Sequence, residues 1–327
     1  MDFAEALRWL DQRINLEATA SGGRRRPPGL ERMTELTALL AEPQRAYPVL
    51  HLTGTNGKTS TARILARLLE TAGLSVGTYT SPHLESVTER MVWDGRPVSE
   101  QGFADAIAAV AAVTPYMEAP PSWFEAVTAA AFHWFADIAV HVAVVEVGLL
   151  GRWDATNVAD GQVAVITNVG VDHLDYAGSL EGVALEKAGI VKPGSILVTG
   201  ELDADLEPFF ASLPAESVWR WGDDYALLDS TVAHGGRQLS IRTPGGDYDD
   251  LFLNLHGAFQ GANATIALAA AEAFLGRPLE PPLVAEAFLG VESPGRLEVM
   301  GRRPLCLLDG AHNPGGASAL AAAIEEE

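Results

Sequence analysis

The chain alternates between apolar positions at helical spacing and short, continuous apolar runs. Near the N-terminus, apolar side chains at helical spacing predict an amphipathic helix over residues 2–20. Residues 21–29, SGGRRRPPG, have the composition of a loop whose arginines are solvated. A second short helix is predicted over residues 30–41, because Pro43 and Pro48 follow it.

Five apolar runs predict strands, and helical patterns lie between them. The strands are 48–52, 74–80, 141–148, 162–170 and 195–200, and the helices include 99–113 and 122–137. The run HVAVVEVG is continuously apolar, as in a strand of a parallel sheet that is covered on both faces. The alternation of strands and helices predicts the α/β class, with a mostly parallel sheet flanked by helices.

The C-terminal part of the chain predicts a hairpin, two helices and a domain boundary. QLSIRT and LFLNL, within residues 238–255, predict a hairpin with PGGDYDD as its turn, and helices are predicted over 260–276 and 281–290. SPGRLEVMGRRP is typical of a boundary, and a strand, a turn and a helix follow it. We therefore expect one domain over 1–292 and the start of a second, smaller Rossmann-like α/β domain over 293–327.

The segment HLTGTNGKTS joins a predicted strand to a predicted helix through two glycines. Gly54 and Gly57 allow backbone N–H groups to converge on phosphate oxygens, and the helix N-terminus adds a partial positive charge. Lys58 can reach the β/γ-phosphates, and Thr59 or Ser60 can offer a hydroxyl to Mg²⁺. An ordinary glycine turn would not need a lysine followed by two hydroxyls, so the segment predicts a nucleotide phosphate site.

The composition narrows the class of protein. With 327 residues, 48% hydrophobic and 20% charged, the chain is typical of a globular enzyme. Its net charge of −21 argues against a nucleic-acid partner, and no apolar run is long enough to span a membrane. Cys306 lies in the apolar run PLCLLDG, which predicts a buried, inert thiol, and a single cysteine favours a reducing cytoplasm.

Polar residues follow several strands at the edge of the sheet where ligands bind in open parallel sheets. The strands end near Lys58, Ser81, Glu146 and the pair Asp172 and His173. Glu146 lies inside VAVVEVG, and a buried, unpaired acid is costly, so we expect a metal site there. The alternative is a Glu146 that is paired with an arginine or a backbone donor.

Six motifs in this order resemble those of the folylpolyglutamate synthases and dihydrofolate synthases of the Mur ligase superfamily. They are HLTGTNGKTS, YTSPHL, VEVG with GRWDATN, ITNVGVDHLDYAGSLEGVALEKAGIVKPG, SPGRLE and DGAHNP, and the resemblance as a whole runs from about residue 29 to 316. The resemblance implies an ATP-dependent ligase of folate biosynthesis. Such an enzyme forms an acyl phosphate on dihydropteroate or a folate, which L-glutamate then attacks.

The resemblance also implies roles for individual residues. The residues expected to hold ATP are Gly54, Thr55, Asn56, Gly57, Lys58, Thr59, Ser60, Asn263, Arg296 and Asp309. Ser81 and Glu146 are expected to bind one Mg²⁺, and Glu146 and His173 a second. The residues expected to line a pterin pocket are Phe124, Asp154 and Ala155. Catalysis is expected from Lys58, Lys187, Glu146 and His173.

Lys187 is the residue for which the pattern and the resemblance disagree. Its position in LEKAGIVKPG is typical of an exposed helix lysine, whereas the resemblance implies a lysine carbamylated by CO₂. The chain also departs from the family pattern G-L-G-G-R, because Leu150 replaces a glycine in GLLGR. If that position needs a positive φ, Leu150 is expected to strain or reshape the loop.

The resemblance further implies about another hundred residues of C-terminal domain that would carry the glutamate-binding surface. We therefore expect these 327 residues alone to bind Mg·ATP weakly and to make little ligated product. Two alternatives stay open: a Mur ligase of peptidoglycan synthesis, and a non-catalytic nucleotide-binding protein. The expected partners are ATP, L-glutamate and dihydropteroate or a folate, and the expected state is a monomer, without nucleic acid or membrane.

Overall fold

The structure is a computed structural model and describes residues 1–15, 29–172 and 174–326. His173, the end of the first predicted helix and nearly all of the loop 21–29 lie outside the described residues. No helix of the described ranges is both long and apolar enough to cross a membrane.

An eight-stranded sheet organises the chain. Its strands are β1 Val49–Thr53, β2 Val76–Tyr79, β3 Met91–Trp93, β4 Arg96–Pro97, β5 Val142–Glu146, β6 Gly161–Ile166, β7 Ile196–Thr199 and β8 Ser217–Arg220. They follow the order β4-β3-β2-β5-β1-β6-β7-β8, in which only β3 runs antiparallel to the other strands. The predicted mostly parallel sheet is confirmed.

Strand β1 lies at the centre of the sheet, between β5 and β6. Leu52 pairs with Glu146 on one side and with Val165 on the other. The chain returns to both sides of β1, so the carboxyl ends of β1, β5 and β6 surround a crevice at the point where the strand order reverses.

Helices cover both faces of this sheet. They are α1 Phe3–Asp11, α2 Glu31–Leu39, α3 Lys58–Thr71, α4 Glu100–Val113, α5 Trp123–Asp137, α6 Leu174–Ala177, α7 Leu180–Ala188, α8 Glu207–Ala211, α9 Phe259–Leu275, α10 Pro281–Gly290 and α11 Pro314–Glu326. Alternate residues of β1 enter different cores: Leu50 packs with α3 and α9, and Val49 with α4 and α5. The first predicted helix is shorter than expected, because α1 ends at Asp11.

A second, antiparallel sheet contains β9 Ala226–Ala233, β10 Gly236–Thr243 and β11 Gly246–Leu253. The predicted hairpin corresponds to β10 and β11, but its turn is shorter than expected. The acidic residues of DYDD belong to β11, where most of them are exposed while Tyr248 and Leu251 are buried. Strand β9 was not predicted, since its apolar positions are only partly buried.

After Ser293 the chain forms the antiparallel hairpin β12 Glu298–Arg302 and β13 Leu305–Leu308, followed by α11. The strand and the helix agree with the predicted elements, and the domain boundary itself stays a prediction. The prediction for Cys306 is wrong, because its thiol is exposed. The two-stranded sheet does not cover its own faces, and Leu305 is 66% exposed.

Candidate active site

The loop between β1 and α3 has the geometry of a phosphate cradle. Gly57 precedes the first residue of α3 with a φ of 83°. A Cβ atom at Gly57 would also lie 2.3 Å from Oδ1 of Asn263, so both the backbone conformation and the contact require glycine here. Nζ of Lys58 folds back and donates to the carbonyl oxygens of Gly54 (2.9 Å) and Thr55 (3.3 Å).

The residues that follow β6 brace this loop. Oδ1 of Asn168 accepts from the backbone N–H groups of Asn56 (2.9 Å) and Thr55 (3.2 Å). Oγ1 of Thr167 and Nδ2 of Asn168 both donate to the carbonyl oxygen of Asn56, at 2.6 and 3.0 Å. The side chains of Thr167 and Asn168 thus bind the backbone of the loop, so the N–H groups of Thr55 and Asn56 keep a fixed arrangement.

Glu146 ends β5 beside the loop and is 1% exposed. Its carboxylate accepts from Oγ1 of Thr59, at 2.9 Å to Oε1 and 3.1 Å to Oε2, and from the backbone N–H of Ser81 at 3.2 Å. Burial raises the pKa of Glu146, while nearby Lys58 acts in the opposite direction. The sequence left open a Glu146 that is paired with an arginine or a backbone donor, and the N–H of Ser81 is such a donor. The hydroxyl of Thr59, which follows the phosphate loop, also donates to Glu146.

A cleft of about 420 Å³ opens above the loop and the ends of the central strands. The predicted site residues that line it are Thr55, Asn56, Gly57, Lys58, Thr59, Ser60, Ser81, Glu146, Asn263, Arg296 and Asp309. Gly54 is not among the lining residues, but it precedes Thr55 in the same loop. The structure thus brings together residues from the phosphate loop, three strand ends, α9 and the region after Ser293.

Arg296 and Asp309 form the far wall of the cleft. Both carboxylate oxygens of Asp309 hold backbone at this wall, accepting from the N–H groups of Leu297 and Ala311, each at 2.8 Å. The guanidinium of Arg296 lies against Gly310, where an added Cβ would be 2.2 Å from Nη1. This wall adds a second cation to the cleft, and its charge lowers the pKa of Lys58.

The three predicted pterin residues lie outside the lining of this cleft. Phe124 is half-buried against Tyr79, with ring centroids 6.3 Å apart, and packs on Gly148 of the cleft wall. Asp154 is 6% exposed and Ala155 is 7% exposed. The carboxylate of Asp154 is engaged by protein donors within its own loop.

Lys187 is 2% exposed, so the prediction of an exposed helix lysine is wrong. It lies near the end of α7, and burial lowers its pKa far below the usual value. The positive charge of Lys58 lowers the pKa further, and Asp172 raises it. A long-range contact that buries α7 decides this state, and the local pattern around LEKAGIVKPG carries no sign of it.

Leu150 has a φ of 58°, in the left-handed region, so the condition under which we expected it to strain or reshape the loop is met. Its side chain is 6% exposed, and its carbonyl oxygen accepts from Oγ1 of Thr53 at 2.5 Å. A left-handed leucine costs about 1–2 kcal/mol. The buried side chain and the bond to β1 stabilise the residue in this conformation.

Several cleft residues were missed at the sequence level. Asn313 exchanges two hydrogen bonds with Asn56, at 2.9 and 3.3 Å, and donates to Oδ2 of Asp172 at 3.3 Å. Trp221 and Phe259 line the cleft with aromatic surface. DGAHNP pointed to the neighbourhood of Asn313, but only the tertiary structure pairs it with the phosphate loop.

The arrangement can bind and neutralise a polyphosphate. A glycine loop at a helix N-terminus lies at the switch point of a parallel sheet, with one lysine, one arginine and a buried carboxylate around it. Fold and site together define the class of phosphate-loop ATP-binding enzymes.

Comparison with known proteins narrows this class. The Mur ligase middle domain matches residues 123–271. The dihydrofolate synthase/folylpolyglutamate synthase of Mycobacterium tuberculosis is 43% identical over 92% of this chain and 67% of its own length. The folylpolyglutamate synthase of Lacticaseibacillus casei is 34% identical over 90% of this chain and 72% of its own length. The chain belongs to the dihydrofolate synthase/folylpolyglutamate synthase family.

Solved structures agree with this assignment. The M. tuberculosis folylpolyglutamate synthase complexed with ADP and AMPPCP superimposes with a TM-score of 0.91 at 40% identity, covering 99% of this chain and 74% of that one. A complex of folylpolyglutamate synthase with AMPPCP and folate gives a TM-score of 0.90 at 31% identity, over 99% and 80% of the two chains.

Proposed function

We propose that this chain is an ATP-dependent ligase that joins L-glutamate to dihydropteroate, to a (tetrahydro)folate polyglutamate, or to both. The observation that carries the proposal is the cleft, in which a phosphate loop, Glu146 and Arg296 meet in a family of folate ligases. ATP is the co-substrate, in keeping with the relatives that were solved with ADP, AMPPCP and folate.

The reaction has two steps. A carboxylate of the pterin substrate attacks the γ-phosphorus of ATP, giving an acyl phosphate and ADP. The amine of glutamate then attacks the acyl carbon, and phosphate leaves as the amide forms. Lys58 and Arg296 both line the cleft, where their charges would stabilise the negative charge that develops on the transferring phosphoryl oxygens.

The residues beside the loop fit a Mg²⁺ ion, which would supply charge neutralisation at the phosphates. Glu146 is a buried carboxylate next to the hydroxyl of Thr59, and Ser81 lies beside it. Such oxygen ligands suit Mg²⁺. Among the described residues there is no group of three His, Cys, Asp or Glu side chains that could hold a metal. We propose that Glu146, with Ser81, holds one ion, and that His173, which lies outside the described residues, completes a second site.

The metal proposal is tested by Glu146→Gln, which removes the charge and keeps the volume. We expect the Mg²⁺ concentration for half-maximal activity to rise at least tenfold, since even the loss of a residue that only orients a metal ligand typically costs about 10–100-fold. Glu125→Gln, a buried carboxylate of α5 paired with Arg32, is the control. An unchanged Mg²⁺ dependence in Glu146→Gln would mean that this carboxylate is structural.

We further propose that Lys187 reacts with CO₂ to form a carbamate. Its amine is buried, and its pKa is lowered so that the reactive neutral form is favoured. The nitrogen attacks the carbon of CO₂ and releases one proton. Intact-protein mass spectrometry under native conditions should show the added CO₂ in bicarbonate, and Lys187→Gln should lose it. Absence of the adduct from the wild-type chain in bicarbonate would refute this step.

The finer assignments rest on the same family membership. We propose that Phe124, Asp154 and Ala155 belong to the pterin pocket, and that residues from 293 onward begin a C-terminal domain that holds glutamate. The hairpin and the helix that follow Ser293 support a separate unit. A monomeric, cytoplasmic enzyme is the matching expectation.

Incorporation of radiolabelled glutamate tests the ligase directly. The chain is incubated with Mg·ATP and either dihydropteroate or tetrahydrofolate, and product is counted with and without ATP. Product from one or both substrates defines the specificity. Because these 327 residues alone are expected to make little product, the assay is repeated with a chain extended by the C-terminal domain that the family resemblance implies. Nucleotide binding without product from either chain would support the non-catalytic alternative.

A further inference from the structure

Strand β1 carries two polar side chains that the mechanism above does not use. His51 and Thr53 are both 0% exposed, and they lie two residues apart, so they point to the same face of the sheet. That face is occupied by the loop that follows β5 and Glu146. Two buried polar groups in a central strand are costly unless they are hydrogen-bonded, which directs attention to their partners.

Both side chains reach the loop after Glu146. Thr53 donates directly to the carbonyl oxygen of Leu150 at 2.5 Å. His51 acts at longer range, because its Nε2 lies 2.8 Å from Oγ1 of Thr156, and that hydroxyl lies 2.5 Å from Oδ1 of Asp154. Oδ2 of Asp154 accepts from the backbone N–H of Leu149 at 2.8 Å.

The direction of the hydrogen bonds follows from the number of protons. The Thr156 hydroxyl has one proton, and it donates that proton to the carboxylate of Asp154. The same oxygen can therefore only accept from His51, so Nε2 of His51 carries the proton and Nδ1 does not. Burial lowers the pKa of His51 to about 3, which keeps the ring neutral throughout the physiological range. No described residue bonds to Nδ1.

We infer that His51 and Thr53 are positioning residues, which fix the segment from Gly148 to Leu150 and thereby the cleft wall beside Glu146. The inference rests on the proposed function for its catalytic consequence. Gly148 lines the cleft and packs against Phe124, so a shift of this segment moves the cleft wall beside Glu146. The left-handed Leu150 needs such support, because nothing in its own conformation favours it.

The chain His51–Thr156–Asp154 is tested at Thr156, whose hydroxyl is its central link. Thr156→Val keeps the shape and removes the hydroxyl, while Thr156→Ser retains it. We expect kcat to fall by about 10–100-fold in Thr156→Val, as for other residues that orient an active-site group, with the KM for ATP within about twofold. Thr156→Ser should restore most of kcat.

A matched control separates positioning from loss of stability. Thr37 is also a buried threonine, 2% exposed, whose hydroxyl donates to the carbonyl oxygen of Met33 at 3.0 Å within α2. Thr37→Val should lower the melting temperature by a similar amount and leave kcat within about twofold. Equal kcat in Thr156→Val and Thr37→Val would overturn the inference.

Two measurements decide the inference without any activity. In ¹⁵N NMR of the wild-type protein, His51 should show a protonated Nε2 and an unprotonated Nδ1, and the opposite tautomer would refute the proposed direction. In hydrogen exchange, the amides of Gly148 to Leu150 should exchange faster in Thr156→Val than in Thr37→Val. If neither this chain nor one extended by the C-terminal domain that the family resemblance implies makes ligated product, the proposed function fails, whereas these two results still support or refute the positioning role.

Discussion

The charged residues of the cleft are held in a largely buried environment that opposes their charge. Burial lowers the pKa of Lys58 and raises that of Glu146, and each of the two charges partly reverses the shift of the other. Each group therefore stabilises the ionised form of its neighbour. Removing one of them therefore also changes the protonation equilibrium of the other.

Lys58→Ala should lower turnover by about 10²–10³-fold, the loss that follows removal of one charge-stabilising donor from an active site. The domain should remain folded, because the lysine makes only two bonds to its own loop. Steady-state kinetics and thermal melting check both statements. Lys58→Arg keeps the charge, so its turnover should lie between those of the wild type and Lys58→Ala. Near-wild-type turnover in Lys58→Ala would contradict the assignment of the phosphate loop.

Lys187 gives a pH-dependent prediction in buffer free of CO₂. Its pKa is lower in the folded chain than in the unfolded chain, where it is near 10.5. The unfolded state therefore binds the proton of Lys187 more tightly than the folded state does. Burial of Lys187 lowers the free energy of unfolding most at pH values below its folded-state pKa, and this cost disappears as the pH approaches its unfolded-state pKa. Lys187→Met should raise the melting temperature at pH 7 by roughly 2–4 °C, the shift that about 1 kcal/mol produces.

The same comparison at pH 10 should give a smaller difference between Lys187→Met and wild type. Lys192→Met serves as the control, since Lys192 is half-buried and its Nζ donates to the carbonyl oxygen of Asn157 at 3.2 Å. A Lys187→Met variant that is less stable than wild type at pH 7 would show that the ammonium has a compensating partner.

At the scale of elements, two helix N-termini converge on one cleft. Helix α3 begins at Lys58 directly after the phosphate loop, and the first turns of α11 contribute Gly315, Gly316 and Ala319 to the lining. Asn313 caps α11 by accepting from the N–H of Gly316 at 2.8 Å. Its other contacts, to Asn56 and Asp172, join the start of α11 to the phosphate loop.

Asn313→Ala should therefore weaken ATP binding as well as the helix. We expect the KM for ATP to rise about tenfold, which corresponds to 1.4 kcal/mol, because Asn56 loses both bonds of the amide pair. Ser99→Ala is the matched control, as Ser99 caps α4 by accepting from the N–H of Gly102 at 3.0 Å. A similar loss of stability in both variants, with an unchanged KM in Asn313→Ala, would leave the amide pair without a role in binding.

At the scale of the whole molecule, an ion pair fastens the last described helix to the second sheet. Arg237 of β10 is 1% exposed, and its guanidinium donates to both carboxylate oxygens of Glu326 in α11, at 2.9 and 3.1 Å. The hydrogen bonds from Arg237 lower the pKa of Glu326. The region after Ser293 is thus held at Asn313 by the cleft and at Glu326 by the small sheet.

Glu326→Gln should destabilise this attachment in a pH-dependent way. The pKa of Glu326 is lower in the folded state than in the unfolded state, so its contribution is present above the unfolded value near 4.5 and is lost as pH falls through the folded value. Hydrogen exchange of α11 should be faster in Glu326→Gln at pH 7. As the pH is lowered, the exchange rate of α11 in the wild type should approach that in Glu326→Gln. The control is Asp247→Gln, which removes an exposed pair with Arg242 and should leave the exchange rate of α11 unchanged.

The sequence by itself determined the α/β class, the parallel strands, the glycine loop before α3 and the position of Glu146 in a buried strand. These features depend on local rules: continuous apolar runs form covered parallel strands, glycines admit left-handed backbone, and an acid inside an apolar strand needs a partner. Leu150 was noted in the sequence only as a departure from the glycine of the family pattern, and the structure established its positive φ.

Only the tertiary structure decided that Lys187 is buried, that Cys306 is exposed, and that His51 reaches Asp154 through Thr156. It also decided that Asn313 pairs with Asn56, 257 positions earlier in the chain. Burial and pairing of this kind depend on which distant segments pack together. Neighbouring residues in the sequence specify the backbone conformation of an element, but the partner of a polar side chain is set by the packing of the elements around it.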